Sequence, residues 1–127
     1  MSEELAAAMS TAAAEELSDA LDTIRHCLGQ LDDEQAWWRP AESMNSIGNL
    51  LLHLAGNLRQ WIVSGVGGVA GVRERPAEFS ATGPIPRNEL LDLLERTVAD
   101  AIATLAAIAD KPPSELLQVR RVQGFEV

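Results

Sequence analysis

The stretch Asn45–Gly68, NSIGNLLLHLAGNLRQWIVSGVGG, decides the fold, because its apolar residues recur at the three- and four-residue spacing of a buried helical face. Asn45 or Ser46 caps this helix. The apolar face consists of Ile47, Leu50, Leu51, Leu54, Leu58, Trp61 and Ile62. A second, polar stripe consists of Asn49, His53, Asn57 and Gln60. Amides and an imidazole, in place of the Lys and Glu of a surface helix, predict that this stripe faces a partly enclosed space. His53 is therefore the first candidate for a functional residue.

The composition of the 127-residue chain is that of a single globular domain. Its net charge is −9, from 19 acidic against 10 basic residues, which argues against nucleic acid and anionic membranes as partners. The N-terminus carries acids where a signal peptide has basic residues, and Arg59 and Gln60 interrupt the most apolar segment. One cysteine cannot form an internal disulfide. These features predict a soluble cytoplasmic protein.

The first predicted helix runs from about Thr11 to Leu28, with Ser10 or Thr11 as its cap. Its apolar positions alternate four and three residues apart, which is the seam of an antiparallel bundle. The seam consists of Leu17, Leu21, Ile24, Leu28 and Leu31. Cys27 flanks the seam and is interpreted as a small core residue, with a reactive thiol as the alternative. His26 lies off the seam and is predicted to face solvent.

A short helical turn follows the first helix. Asp32, with Gln35 three residues later, forms a capping-box pattern at its start. Trp37 and Trp38 lie at its end and are predicted to plug one end of the bundle, because a tryptophan buries a large apolar area. The alternative is that one of them lines the mouth of a pocket.

A long crossover loop is predicted for residues 65–85, where periodicity disappears and Gly and Pro are frequent. Within it, Arg73, Arg75 and Glu78 flank the aromatic Phe79. Ion pairs from these residues would pin the loop to the bundle, or the arginines would face an anionic substrate. We prefer the first interpretation.

The sequence GVGGVA at Gly65–Ala70 has the spacing of a dinucleotide-binding loop. Such a loop follows a strand and opens a helix, so that the helix N-terminus faces the pyrophosphate. Here the motif follows a helix and opens a loop. It is therefore interpreted as the end of a helix.

A third helix is predicted to start at Pro86 and to stop before Pro112-Pro113. Its seam consists of Leu91, Leu94, Val98, Ala101, Leu105 and Ile108. The remaining tail alternates in short stretches and is predicted to be extended. The chain is thus predicted to be all-α, an up-down helical bundle with a long crossover loop.

The run WWRP…NSIGNLLLHLAGNLRQWI…GVGG…RERPAEF, from about Leu31 to Phe79, resembles the DinB/YfiT-like superfamily of metal-binding four-helix bundles. The flanking helices fit the same pattern, so that the resemblance covers nearly the whole chain. It implies that His53 is one of three imidazoles that hold a divalent metal, zinc or nickel. It also implies a relation to transferases or isomerases that use bacillithiol, mycothiol or glutathione.

The chain departs from that pattern after its last seam. In the family, the other two ligands form an H-x-x-x-H pair on the fourth helix, which an extended segment precedes. The sequence stops at Val127, where that helix is expected to begin, and His26 does not replace the pair. We therefore expect a C-terminally incomplete domain, residues 1–127, with three of four helices. A single imidazole is not expected to bind the metal tightly.

Two functional hypotheses follow from these patterns. The first is a metal-dependent protein that acts on a small thiol adduct or electrophile, with His53 as a metal ligand and negligible activity in this chain. Asn49 and Asn57 would line the pocket or orient the imidazole. The second is a non-enzymatic assembly module, which forms a homodimer through an apolar groove that the missing helix leaves uncovered.

Overall fold

The computed structural model describes residues 3–111, 121–122 and 125–126. The described helices and strands are α1 (Glu3–Leu28), α2 (Asp33–Trp37), α3 (Ile47–Leu58), a π-helical segment (Arg59–Val66), α4 (Arg75–Ser80), α5 (Arg87–Ala109), β1 (Arg121–Val122) and β2 (Phe125–Glu126). The two strands of two residues each pair antiparallel. The fold is otherwise all-α, as the sequence predicts. The predicted extended tail falls on these strands and on residues outside the described part.

The three long helical elements have an up-down-down arrangement. Arg25 pairs with Glu95 at 3.0 Å, and the hydroxyl of Ser10 donates to the carbonyl oxygen of Leu105, so α1 and α5 run antiparallel. Leu52 of α3 and Leu93 of α5 line the same cavity, and Arg59, which follows α3, pairs with Asp100 further along α5 at 2.8 Å. The helix α3 and its π-helical continuation therefore run parallel to α5. Parallel neighbours require a connection that returns along their length, which explains the long crossover.

The core lies where α5 packs between α1 and α3. Its buried residues are Leu28, Ala36, Leu51, Ala55, Leu90, Leu94 and Val98. The predicted seam of α1 is confirmed, because Leu17, Leu21, Ile24 and Leu31 pack against this cluster. Among the residues described, no helix combines the length and the apolarity that crossing a bilayer requires.

The first helix begins earlier than predicted. It starts at Glu3, and the predicted caps Ser10 and Thr11 lie inside it. The alanine-rich segment before Thr11 has a high helix propensity. The acidic residues in the first turn stabilise the helix, because they lie at the positive end of its dipole. Ala6 and Ser10 are buried. The cap prediction was therefore wrong, because this segment is itself part of the packed helix.

Two side chains predicted to be buried are exposed. Cys27 is exposed, so its interpretation as a core residue was wrong, while His26 is exposed as predicted. Trp38 is 66 % exposed, whereas Trp37 is half-buried and donates from Nε1 to the carbonyl oxygen of Ile85 at 2.8 Å. Only Trp37 therefore covers the end of the bundle. The capping box of α2, Asp32 with Gln35, is confirmed.

The buried face of α3 is rotated from the predicted one. Ile47, Leu50 and Leu54 are 41 %, 42 % and 40 % exposed, and the buried positions include Leu51 and Ala55. Leu51 and Ala55 lie on the side of α3 that packs against Leu90, Leu94 and Val98 of α5 in the core. We call the exposed set Ile47, Leu50 and Leu54 the apolar stripe.

The predicted second helix also changes type before it ends. The α-helix gives way at Arg59 to a π-helix that continues to Val66. In a π-helix the hydrogen bonds close over five residues instead of four, and such segments are frequent at functional sites. In this chain the π-helical segment carries Gln60, a member of the predicted polar stripe. The predicted crossover loop contains the short helix α4.

Candidate functional site

The polar stripe of α3 begins at a buried amide. Ser46 is the N-cap of α3 and forms a reciprocal capping box with Asn49. Asn49 is fully buried, and its Oδ1 accepts from the backbone N–H and the hydroxyl of Ser46 at 3.0 and 2.8 Å. Its Nδ2 donates to the carbonyl oxygens of Glu78 and Ala81 at 2.9 and 2.7 Å. Asn49 therefore binds the backbone of α4 and of the segment after it to the start of α3.

Arg39 supports the same contact from outside α3. Its NH2 group donates to Oδ1 of Asn49 at 2.8 Å and to the carbonyl oxygens of Phe79 and Ala81 at 3.0 and 2.8 Å. The residues around the end of α4 are thus held by an amide and a guanidinium together. This arrangement fixes the position of Glu78 on α4.

Glu78 forms an almost completely buried ion pair with Arg73. The two side chains are 10 % and 8 % exposed. Nε of Arg73 donates to Oε2 at 2.9 Å and NH2 donates to Oε1 at 2.8 Å, which is a bidentate geometry. Because Glu78 accepts these hydrogen bonds, the pKa of the Arg73 guanidinium is raised above its ordinary value. The guanidinium is therefore a permanent donor.

The ion pair lies against α3 and the π-helical segment. NH1 of Arg73 donates to Oε1 of Gln60 at 3.0 Å, and NH2 lies 3.5 Å from the carbonyl oxygen of His53. Arg73 holds the loop to the bundle, but it does so through its contacts with Gln60 and His53, because its ion pair with Glu78 lies within the loop. Arg75 instead lies over the ring of Phe79, 5.3 Å from its centroid.

His53 joins this network through one ring nitrogen. Its Nδ1 lies 2.9 Å from NH2 of Arg73 and 3.3 Å from Oε1 of Glu78. Because a guanidinium only donates, the contact with Arg73 requires a lone pair on Nδ1, whereas a hydrogen bond to the Glu78 carboxylate requires a proton there. The side chain is 28 % exposed, and Nε2 has no hydrogen-bond partner within the described ranges. The imidazole also contacts the ring of Phe79, with 5.1 Å between centroids.

A glycine makes this close approach possible. A Cβ added to Gly56 would lie 1.9 Å from Oε2 of Glu78 and 2.9 Å from Nε of Arg73. The ion pair therefore occupies space that any side chain at Gly56 would fill. Behind it, a cavity of about 290 Å³ lies between α3, the loop and α5. Its lining residues include Leu52, Ala55, Arg59, Val72, Leu93 and Thr97.

The predicted site residues are brought together only in part. Asn49 and His53 are joined through Glu78, whose carbonyl oxygen contacts the amide and whose carboxylate contacts the imidazole. Gln60 is joined to them through Arg73. Asn57 is exposed. Whether Asn49 and Asn57 line a binding pocket stays a prediction.

The donor set of the described residues fits one ligand of a divalent metal. A metal-binding histidine usually donates its other ring N–H to a carboxylate, and Oε1 of Glu78 lies 3.3 Å from Nδ1, while NH2 of Arg73 is closer to Nδ1, at 2.9 Å. Nε2 becomes a ligand when the ring proton moves to Nδ1. In the part of the chain that the structure describes, no group of three or more His, Cys, Asp or Glu side chains could hold a metal.

Sequence reasoning selected His53 but missed the residues that contact it. Arg73 and Glu78 were expected to form ion pairs that pin the loop to the bundle, but not to contact His53, and Arg39 was not singled out. A signal was present, since the otherwise largely apolar and glycine-rich loop carries two arginines and two glutamates, Arg73, Glu74, Arg75 and Glu78. Nothing in that local pattern indicates which helix they approach.

Comparison with known proteins gives one match. A family model of the DinB superfamily matches residues 6–124. No curated protein and no solved structure matches the chain. The matched region includes every residue of the network around His53. The chain belongs to the DinB superfamily.

Proposed function

We propose that this chain is a metal-dependent protein of DinB type in which Nε2 of His53 is a ligand for a divalent metal, zinc or nickel. The DinB superfamily is generally associated with metals. The observation that carries the proposal is the Glu78 carboxylate, 3.3 Å from Nδ1 of a half-buried imidazole whose Nε2 has no hydrogen-bond partner among the described residues. A carboxylate in this position fixes the ring orientation and makes the imidazole a better ligand.

The proposed lineage is that of thiol-dependent transferases and isomerases, with a small thiol or electrophile as substrate. A metal with an open position would supply a Lewis acid that activates a thiol or water. The roles of the chain's own residues would be to hold and orient: His53 would provide Nε2, and Glu78 would accept from Nδ1–H in the form that binds the metal. Asn49 and Arg39 keep Glu78 in place, and Asn57 lies exposed on the same helix. A cytoplasmic location is part of this proposal, and so is the lack of nucleic-acid partners, which the charge of −9 supports.

We expect the metal to be bound weakly by the 127-residue chain. Tight zinc sites use three or four ligands in fixed geometry, and among the described residues His53 is the one imidazole at this site. After dialysis against chelator-free buffer, the chain is expected to retain far less than one equivalent of zinc. In a titration with zinc, His53→Ala is expected to weaken the remaining binding about tenfold or more, and His26→Ala to leave it unchanged. Tight stoichiometric zinc would contradict the expected weak binding, and equal losses in the two variants would contradict the proposed role of His53.

A second candidate function is a non-enzymatic assembly module that forms a homodimer. The apolar stripe favours it, because Ile47, Leu50 and Leu54 lie on one face of α3 and each is at least 40 % exposed. Trp38 and Met44, shortly before α3, are 66 % and 49 % exposed. An apolar surface of this kind is stabilised when a second copy covers it.

We expect the dimer to depend on the apolar stripe. In sedimentation experiments at micromolar concentration, the double variant Leu50→Gln with Leu54→Gln is expected to be a monomer. The matched control is Val69→Gln with Val72→Gln, which replaces apolar residues that are 57 % and 83 % exposed in the loop. The control is expected to dimerise like the unchanged chain. A monomeric unchanged chain, or a control that also dissociates, would reject the assembly function.

A further inference from the structure

Two oppositely charged groups lie at the same nitrogen of His53. NH2 of Arg73 is 2.9 Å from Nδ1, and Oε1 of Glu78 is 3.3 Å from it. A ring nitrogen of a neutral imidazole either accepts or donates, so it makes a good hydrogen bond with only one of these groups at a time. The choice between the two partners decides where the ring proton lies.

Each partner selects a different form of the imidazole. A bond from Arg73 needs the lone pair of Nδ1, and the proton then lies on Nε2, where it blocks coordination by that nitrogen. A bond to Glu78 needs a proton on Nδ1, and the lone pair of Nε2 is then available. The change moves no net charge: one proton leaves Nε2 for water and another is taken up from water at Nδ1.

We propose that Arg73 and Glu78 compete for Nδ1 of His53, with Arg73 holding the imidazole in the Nε2–H form and Glu78 acting as the positioning residue of the form that binds a metal. The consequence for metal binding rests on the proposed function. The competition itself concerns only the metal-free protein. It makes Arg73 a residue that lowers the metal affinity of the site.

The network permits the exchange without losing its ion pair. Oε1 of Glu78 already accepts from NH2 of Arg73 at 2.8 Å, and a carboxylate oxygen can accept a second hydrogen bond. Nε and NH1 of Arg73 remain bound to Glu78 and Gln60. A small rotation of the guanidinium away from Nδ1 is therefore sufficient. The buried pair and the fold around it stay in place.

The test is the position of the ring proton, read from side-chain ¹⁵N resonances of His53 in metal-free protein at alkaline pH, where imidazoles are neutral. The chain has two histidines, and exposed His26 serves as the internal reference. We expect the Nε2–H pattern for His53 in the unchanged chain and the Nδ1–H pattern in Arg73→Met. Arg75→Met removes the same charge from a residue that lies over Phe79, and it is expected to leave His53 unchanged.

The first measurement uses only the unchanged chain, so its result does not depend on whether a variant folds. An Nδ1–H pattern for His53 in that spectrum would overturn the proposal. An Arg73→Met protein that melts cooperatively but keeps the Nε2–H pattern would overturn it as well.

In a zinc titration, Arg73→Met is expected to bind zinc about tenfold more tightly than the unchanged chain, and Arg75→Met is expected to bind it equally. If no variant binds zinc while the proton moves as expected, the proposed function fails and the competition stands. If zinc binds through His53 but the proton does not move, the competition fails and the proposed function stands.

Discussion

Glu78→Gln is expected to lower the free energy of unfolding by about 3 kcal/mol, because it leaves the guanidinium of Arg73 buried without its carboxylate. Removing one partner of a buried pair costs more than the pair contributes, since the remaining charge is cut off from water. Both side chains are at most 10 % exposed, and the pair is bidentate. Chemical denaturation followed by circular dichroism measures the change.

An exposed ion pair in the same molecule provides the control. Arg59 and Asp100 lie 2.8 Å apart, but their side chains are 46 % and 55 % exposed. Asp100→Asn is expected to change stability by less than about 1 kcal/mol, because water screens the charges. The double variant Arg73→Met with Glu78→Leu should lose less than the sum of its single variants. Equal losses in Glu78→Gln and Asp100→Asn would show that burial of the Arg73–Glu78 pair has no energetic consequence.

Asn49→Ala is expected to cost about 3 kcal/mol of stability, the second-largest effect in the network. The substitution removes five side-chain hydrogen bonds, to Ser46, Arg39, Glu78 and Ala81. It breaks the capping box of α3 and removes the amide donor from the carbonyl oxygen of Glu78, while the carbonyl oxygen of Ala81 keeps its bond from Arg39. Thermal and denaturant melts would measure the loss.

Asn57 is the matched control for Asn49, since it is an asparagine on the same helix but lies exposed. Asn57→Ala is expected to change stability by no more than about 0.5 kcal/mol. The pair of variants separates the role of the amide in the network from the helix propensity of the residue. A cost for Asn49→Ala below about 1 kcal/mol would mean that solvent replaces its buried partners.

Local sequence signals predicted the elements of the site well. The capping box at Asp32 is a pattern of only four residues, and the cap at Asn45 or Ser46 is an equally local signal; the structure has the capping box at Asp32 and Ser46 as the cap of α3. Asn49 and His53 stood out because polar side chains interrupt an apolar helix. The seam of α1 was also read correctly, since a single neighbour, α5, covers it.

Which side of α3 is covered could not be read in the same way. Both Leu50 and Leu51 fit an apolar periodicity, but α5 and α4 approach the side of Leu51 and leave Leu50 exposed. Periodicity gives the spacing of a face and not the direction from which its neighbours come. The contact of Arg73 with His53 spans twenty residues of sequence, and it follows from the parallel course of α3 and α5. Local reasoning therefore found the imidazole and not its partners.

Glu78 contacts α3 twice, with its carbonyl oxygen at Asn49 and its carboxylate at His53. A substitution of Glu78 is therefore expected to change both the thermal stability of the protein and the properties of the imidazole. A change that retunes the imidazole through this side chain also loosens the anchor of the crossover, so improvements in the two traits cannot be selected independently at this position. Compensating substitutions elsewhere would have to come first.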